Sequence, residues 1–215
     1  MGADPAAGRV VTATGDRLDT LLREVRACSH CAAHLPQGPR PVLQVGPTAG
    51  ILIIGQAPGA RAHASGIPWS DPSGDRLRDW TGLSPEIFYD PARVALMPMG
   101  FCYPGTGASG DLPPRPECAP LWHDRLLAEL PPDRLTLLVG SYALKFYARR
   151  WLGLPASRVA LADFVRASGA LGDRVRVLPH PSWRSGTWMR RHPWYEADRV
   201  PDLRAAVSQA LGLQG

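Results

Sequence analysis

The sequence predicts an α/β fold, a three-layer α/β/α sandwich around a central, mainly parallel four-stranded sheet. Three observations carry this. Four short apolar runs have the length and continuity of strands buried on both faces: Ile51-Leu52-Ile53-Ile54, Val94-Ala95-Leu96-Met97, Leu135-Thr136-Leu137-Leu138-Val139 and Val175-Arg176-Val177-Leu178. Helical stretches at about 74–82, 119–130 and 141–153 lie between them, and a closing helix covers about 201–212. Strands alternating with helices build a parallel sheet covered on both faces.

Taken in order, residues 1–15 are expected to form a flexible arm and residues 16–215 a single domain. A chain of 215 residues suits one full core, and no linker or internal repeat divides it. Asp16 to Arg26 puts Leu18, Leu21, Leu22 and Val25 on one helical face and runs straight into Cys28-Ser29-His30-Cys31. Residues 35–48, rich in Pro and Gly, are expected to be a loop. Gly50 and Gly55 bound the first strand.

Hydrophobic residues make up 45% and charged residues 20%, which places the chain among ordinary soluble globular proteins. No run of eighteen apolar residues is present, so no membrane span is expected. Met1-Gly2-Ala3-Asp4-Pro5 has no basic stretch leading into an apolar one, so a cytoplasmic location is expected. The net charge of +5 suits a polyanion. Apart from Lys145 every basic residue is Arg, and Ala, Gly and Pro are abundant, a bias that a GC-rich genome also produces.

In open parallel sheets the ligand sits beyond the carboxyl ends of the strands. Two segments leave strands toward that rim: Gly55-Gln56-Ala57-Pro58-Gly59 after the first strand and Pro179-His180-Pro181-Ser182 after the last. Alone, the first is an ordinary turn and the second a structural loop. Together, at the ends of the first and last strands, they resemble the uracil-DNA glycosylase superfamily, from about Cys28 to the C-terminus. The resemblance is closest to its iron–sulfur branch, often called family four. That branch continues with Gly-x-Pro-Phe and a small-residue turn, matched here by Gly66-Ile67-Pro68-Trp69-Ser70-Asp71-Pro72-Ser73-Gly74. It also places Cys-x2-Cys before the first strand and two further Cys around a Pro-rich loop, here Cys102 to Cys118.

The resemblance implies a DNA glycosylase in base excision repair that cuts the bond between sugar and a flipped-out base, uracil first. DNA is the implied partner, no membrane is involved, and the chain is expected to act as a monomer. A flipped base is read at its edge against an aromatic face. Trp69 takes the place of the stacking Phe; the other reading is a core Trp. His180 matches the His that stabilises the departing base, with the backbone at Gln56 and Ala57 as further donors. The other reading of His180 is a structural His between prolines. His192-Pro193 is a decoy, with no Ser after it and no strand before it. Ser182, Trp183 and Arg184 form the loop that presses on the duplex, with Ser182 holding phosphate, Trp183 as wedge and Arg184 filling the gap. Trp188, Arg190 and Arg191 extend an aromatic and basic surface, or pack the last helix.

Two departures stand out. The first motif carries no carboxylate, so Gln56 and Asp71, and behind them His63, are the candidates for positioning water. Asp71 also reads as a helix cap. The chain has no Asn, the residue that reads uracil in relatives. Met97-Pro98-Met99-Gly100 replaces that reader with backbone and apolar side chains. A deaminated purine therefore stays open as substrate, as does a non-catalytic damage-binding module or a nucleoside hydrolase. No Lys lies near either motif, so a Schiff-base lyase step is not expected and the enzyme reads as monofunctional. Cys28, Cys31, Cys102 and Cys118 are expected to hold a 4Fe–4S cluster in a structural role; zinc or free thiols are the other readings.

Overall fold

The computed structural model describes residues 13–213 apart from 109 and 168. The order is α1 (Ala13–Arg26), β1 (Ile51–Ile54), α2 (Ala60–Ser65), α3 (Pro72–Thr81), α4 (Pro85–Phe88), β2 (Val94–Leu96), β3 (Thr106–Gly107), β4 (Gly110–Asp111), α5 (Cys118–Leu127), β5 (Leu135–Val139), α6 (Ser141–Leu152), α7 (Leu161–Arg166), β6 (Val175–Leu178), α8 (Gly186–Arg191) and α9 (Val200–Ala210).

The four expected strands form one sheet in the order β2-β1-β5-β6, parallel throughout. Ile51 stands opposite Val94 on one side and Leu135 on the other. Successive strand residues face opposite ways, so the apolar runs feed two cores. Leu52, Ile54, Ala95 and Leu138 pack with α1, α5 and α6. Ile51, Ile53, Val94, Leu96, Leu137 and Val139 pack with α3 and α9. The result is the expected α/β/α sandwich.

Helix α1 docks through Leu18, Leu21, Leu22 and Val25, all buried. At about 1.5–3 kcal/mol for each buried aliphatic side chain, these outweigh the exposed ion pairs of the same face. Those pairs join Arg17 to Glu129 at 2.7 Å and Arg125 to Glu24 at 2.5 Å. The helix starts at Ala13, so it takes in Ala13 to Gly15 of the expected arm, and residues 1–12 lie outside the described residues. Helix α3 begins earlier than its periodicity indicates because Asp71 caps it, accepting from the Gly74 N–H at 2.9 Å with Pro72 in the first turn. Four short helices and one hairpin were not visible as sequence periodicity. Helices α2, α4, α7 and α8 have six residues or fewer. The β3–β4 hairpin lies inside the Cys102–Cys118 loop. Among the described residues no helix is long and apolar enough to cross a membrane.

Candidate active site

The carboxyl ends of β1 and β6 open into one cleft of about 640 Å³. Gln56, Ala57, Trp69, Asp71, His180, Ser182 and Trp183 all line it. Arg184 lies in the same loop, but its side chain is outside the described residues.

The first motif is stitched to the segment after β2. Met99 N–H donates to the Gly55 carbonyl at 2.9 Å and Gly100 N–H to the Gln56 carbonyl at 3.0 Å. Met97 N–H is likewise spent on Ile53, and Pro98 has none. The stretch that replaces the Asn reader therefore has its N–H groups committed to holding the turn. The buried His123 supports it from behind, with Nε2 3.1 Å from the Pro98 carbonyl and Nδ1 2.7 Å from the Tyr147 hydroxyl. Burial pushes the His123 imidazolium down to about 4. A neutral ring can donate to Pro98 and accept from Tyr147 at once.

Trp69 is the one non-glycine residue with positive φ, 57°, among the described residues. The surrounding glycines make that conformation possible. A Cβ on Gly55 would lie 2.6 Å from the indole, and a Cβ on Gly74 only 1.8 Å from the Trp69 carbonyl. The Tyr89 hydroxyl donates to that carbonyl at 3.1 Å. The ring stands half-buried on the cleft wall, 5.8 Å from the His180 ring, with its other contacts against the core.

The His180 geometry fixes its tautomer. Ser182 N–H donates to Nδ1 at 3.3 Å, so the neutral ring carries its proton on Nε2. Burial lowers the His180 pKa, while the Asp71 and Asp111 carboxylates oppose the shift. The side chain is thus a neutral hydrogen-bond donor at physiological pH.

Asp71 caps α3 and lines the cleft, so its two readings coexist. His63 is buried against Tyr103, with ring centroids 5.8 Å apart, and does not line the cleft. His192 packs on Trp188, with ring centroids 4.4 Å apart and the planes tilted, also outside the cleft. Trp188 packs on Trp194 and Tyr195 near the last helix. Trp183 stands 79% exposed at the cleft mouth. Three charged residues of the cleft escaped the sequence reading: Arg61, Arg76 and Asp111. Arg76 donates to the Ser182 carbonyl at 3.4 Å, and its place in the first turns of α3 after the Asp71 cap was the available signal. Asp111 had no such signal, because it arrives on the hairpin.

Near the start of α5, Cys28, Cys31, Cys102 and Cys118 line one small hollow. Burial and mutual repulsion raise the Cys118 thiol to about 12 and also raise Cys102 and Cys31. The Phe101 N–H donates to the Cys118 sulfur at 3.3 Å. Among the described residues no group of three or more His, Cys, Asp or Glu side chains is placed to hold a metal ion.

Residues 43–204, three quarters of the chain, match the model of the Uracil DNA glycosylase superfamily. The chain belongs to that superfamily. Both rim motifs and every residue lining the cleft except Val42 fall inside the matched span. A uracil-DNA glycosylase superfamily member is a DNA glycosylase-type hydrolase, and its partner is DNA. Cys28 and Cys31 lie ahead of the matched residues.

Proposed function

We propose that this chain is a monofunctional DNA glycosylase of base excision repair, with uracil as its preferred base, on the iron–sulfur branch of the superfamily. The observation that carries the proposal is the His180 tautomer: a neutral Nε2–H, set by Ser182, within a cleft walled by an aromatic ring.

The flipped base stacks on Trp69, worth about 1–3 kcal/mol. As the bond from C1′ to the base breaks, its electron pair leaves with the base, and the His180 Nε2–H donates to the base oxygen that gains the charge. The Gln56 amide, whose Nε2 lies 3.4 Å from the Leu112 carbonyl, stands where it can read the base edge or hold water. Asp71 contributes a carboxylate to the same space. Ser182 and its backbone contact phosphate, while Trp183 and Arg184 open the duplex. The single lysine, Lys145, is on α6 and does not line the cleft, so no lysine amine is placed to form a Schiff base there.

The four cysteines fit a 4Fe–4S cluster better than a single zinc ion. Four thiols around one hollow, where burial and neighbouring thiols raise Cys31, Cys102 and Cys118, suit a cationic multi-atom centre, and an N–H donated to sulfur suits a thiolate. When bound, the cluster supplies a rigid cross-link between the end of α1 and the Pro-rich loop. The chemistry of base release uses none of it.

The test is strand scission after alkali, with duplex and single-stranded oligonucleotides carrying one uracil, hypoxanthine or xanthine. Cleavage at uracil is expected. Preference for a purine would overturn the base assignment, and no cleavage by protein that binds duplex would overturn the enzyme. Brown protein with stoichiometric iron and sulfide is expected; colourless protein with one zinc would overturn the cluster.

A further inference from the structure

The Pro-rich loop between Cys102 and Cys118 brings a second carboxylate into the cleft. Asp111 ends the β3–β4 hairpin, opposite Thr106. The hairpin is closed by Leu112 N–H donating to the Gly105 carbonyl at 2.8 Å. It is tied to the first motif by the Gln56 amide donating to Leu112. A Cβ built on Gly59 would sit 3.3 Å from Asp111 Oδ2 and 3.9 Å from Asp71 Oδ2. Both carboxylates therefore present one oxygen toward the same point of the first motif, beside Gly59.

Their other oxygens differ. Asp71 Oδ1 accepts from the Gly74 N–H at 2.9 Å, so this side chain is fixed as a helix cap. Asp111 Oδ1 has a single long contact among the described residues, 3.5 Å from the Thr106 hydroxyl. Asp111 is exposed on a hairpin and can follow a water toward the sugar; Asp71 is anchored at a helix end.

We infer that Asp111 is the catalytic residue that activates the attacking water, and that Asp71 is its electrostatic and positioning partner. The inference rests on the glycosylase reading above and assigns the role that the carboxylate-free first motif leaves vacant. The water oxygen bonds to C1′ and one water proton passes to the Asp111 carboxylate. The bond from C1′ to the base breaks, and its electron pair leaves on the base beside His180 Nε2–H. The base anion then takes a proton from solvent and Asp111 returns its proton to solvent, so the net change is one water consumed. Two negative carboxylates beneath the sugar also stabilise the positive charge that develops on it.

The test compares wild type, Asp111→Asn and Asp71→Asn in single-turnover cleavage of a duplex carrying one uracil, hypoxanthine or xanthine. Asn keeps the shape at both sites and caps α3 as well as Asp does. Loss of a general base is expected to slow Asp111→Asn by about 100-fold or more, with Asp71→Asn slowed by about 10-fold or less. Affinity for a duplex holding a tetrahydrofuran abasic analogue, and the melting temperature, should match wild type in Asp111→Asn. An Asp111→Asn rate within about threefold of wild type would overturn the inference and leave the glycosylase standing. So would a larger loss in Asp71→Asn than in Asp111→Asn. Wild-type protein that cleaves none of the three bases would overturn both readings together.

Discussion

Gly55→Ala tests the wall of the cleft directly. The added carbon would lie 2.6 Å from Trp69 Cζ2 and 3.3 Å from Cη2. Carbon atoms pack at about 3.5–4.0 Å, so the indole must retreat by roughly 1 Å. It has little room to do so. Its backbone is held at φ 57° by the Tyr89 hydroxyl on its carbonyl and by Gly74 against the same carbonyl. The strain must therefore move the ring about its own χ angles, away from its 5.8 Å approach to His180. Overpacking of this kind costs about 1–3 kcal/mol of stability. Misplacing the stacking face forfeits a similar part of the roughly 1–3 kcal/mol of base stacking, which is about 5- to 150-fold in cleavage rate. The assay pairs urea denaturation with single-turnover cleavage of a uracil-containing duplex. Trp69→Phe, whose ring is smaller, should restore stability in the Gly55→Ala background by more than it changes the wild type. A Gly55→Ala protein as stable and as fast as wild type would refute the argument that Gly55 exists to seat Trp69.

Four further outcomes are expected. His180→Ala should cut cleavage by about 100-fold or more while duplex affinity stays within a few-fold, because it removes a donor aimed at the developing charge. The wild-type rate should hold at neutral pH and fall on acidification below the ordinary imidazole value of about 6.5, since protonating Nδ1 breaks the Ser182 contact that sets the tautomer. Trp183→Ala, at the exposed cleft mouth, should slow cleavage of duplex more than of single strand. Between pH 6.5 and about 4 the unfolded chain protonates His123 and the folded chain does not, so urea stability should fall by about 3 kcal/mol across that window and His123→Gln should flatten the slope.

Periodicity and strand length carried the layered sheet: β1, β2 and β5 are buried throughout, as their continuous apolar runs indicate, whereas β6 is fully buried only at Leu178. They missed α2, α4, α7 and α8, which are too short to repeat an apolar face. At the site, the residues that follow strands were legible: chain direction alone sends Gln56 and His180 to the same rim. Trp69 and Asp71 were legible through the turn they share. The donor nitrogen of His180 was not, since it depends on where the Ser182 N–H points. Nor were Arg61 and Asp111, whose places are set by how α2 and the hairpin fold back over the first motif.

That fold-back changes what the missing motif carboxylate means. Taken along the chain, Gln56 where an acid is expected argues for a protein that binds damage without cutting. In space, Gln56 donates to the carbonyl of Leu112, the residue after Asp111, so the motif position serves to dock the hairpin that brings an acid in. Cys102 and Cys118 bracket that hairpin in the sequence and share one hollow with Cys28 and Cys31, which follow α1. A centre bound by the four thiols would thus brace the loop that carries Asp111. Cys118→Ser is expected to lower the melting temperature and to slow cleavage together, and an osmolyte that restores the fold should restore both. A Cys118→Ser protein that keeps its wild-type melting temperature yet loses cleavage would show that the thiols act on the chemistry by another route.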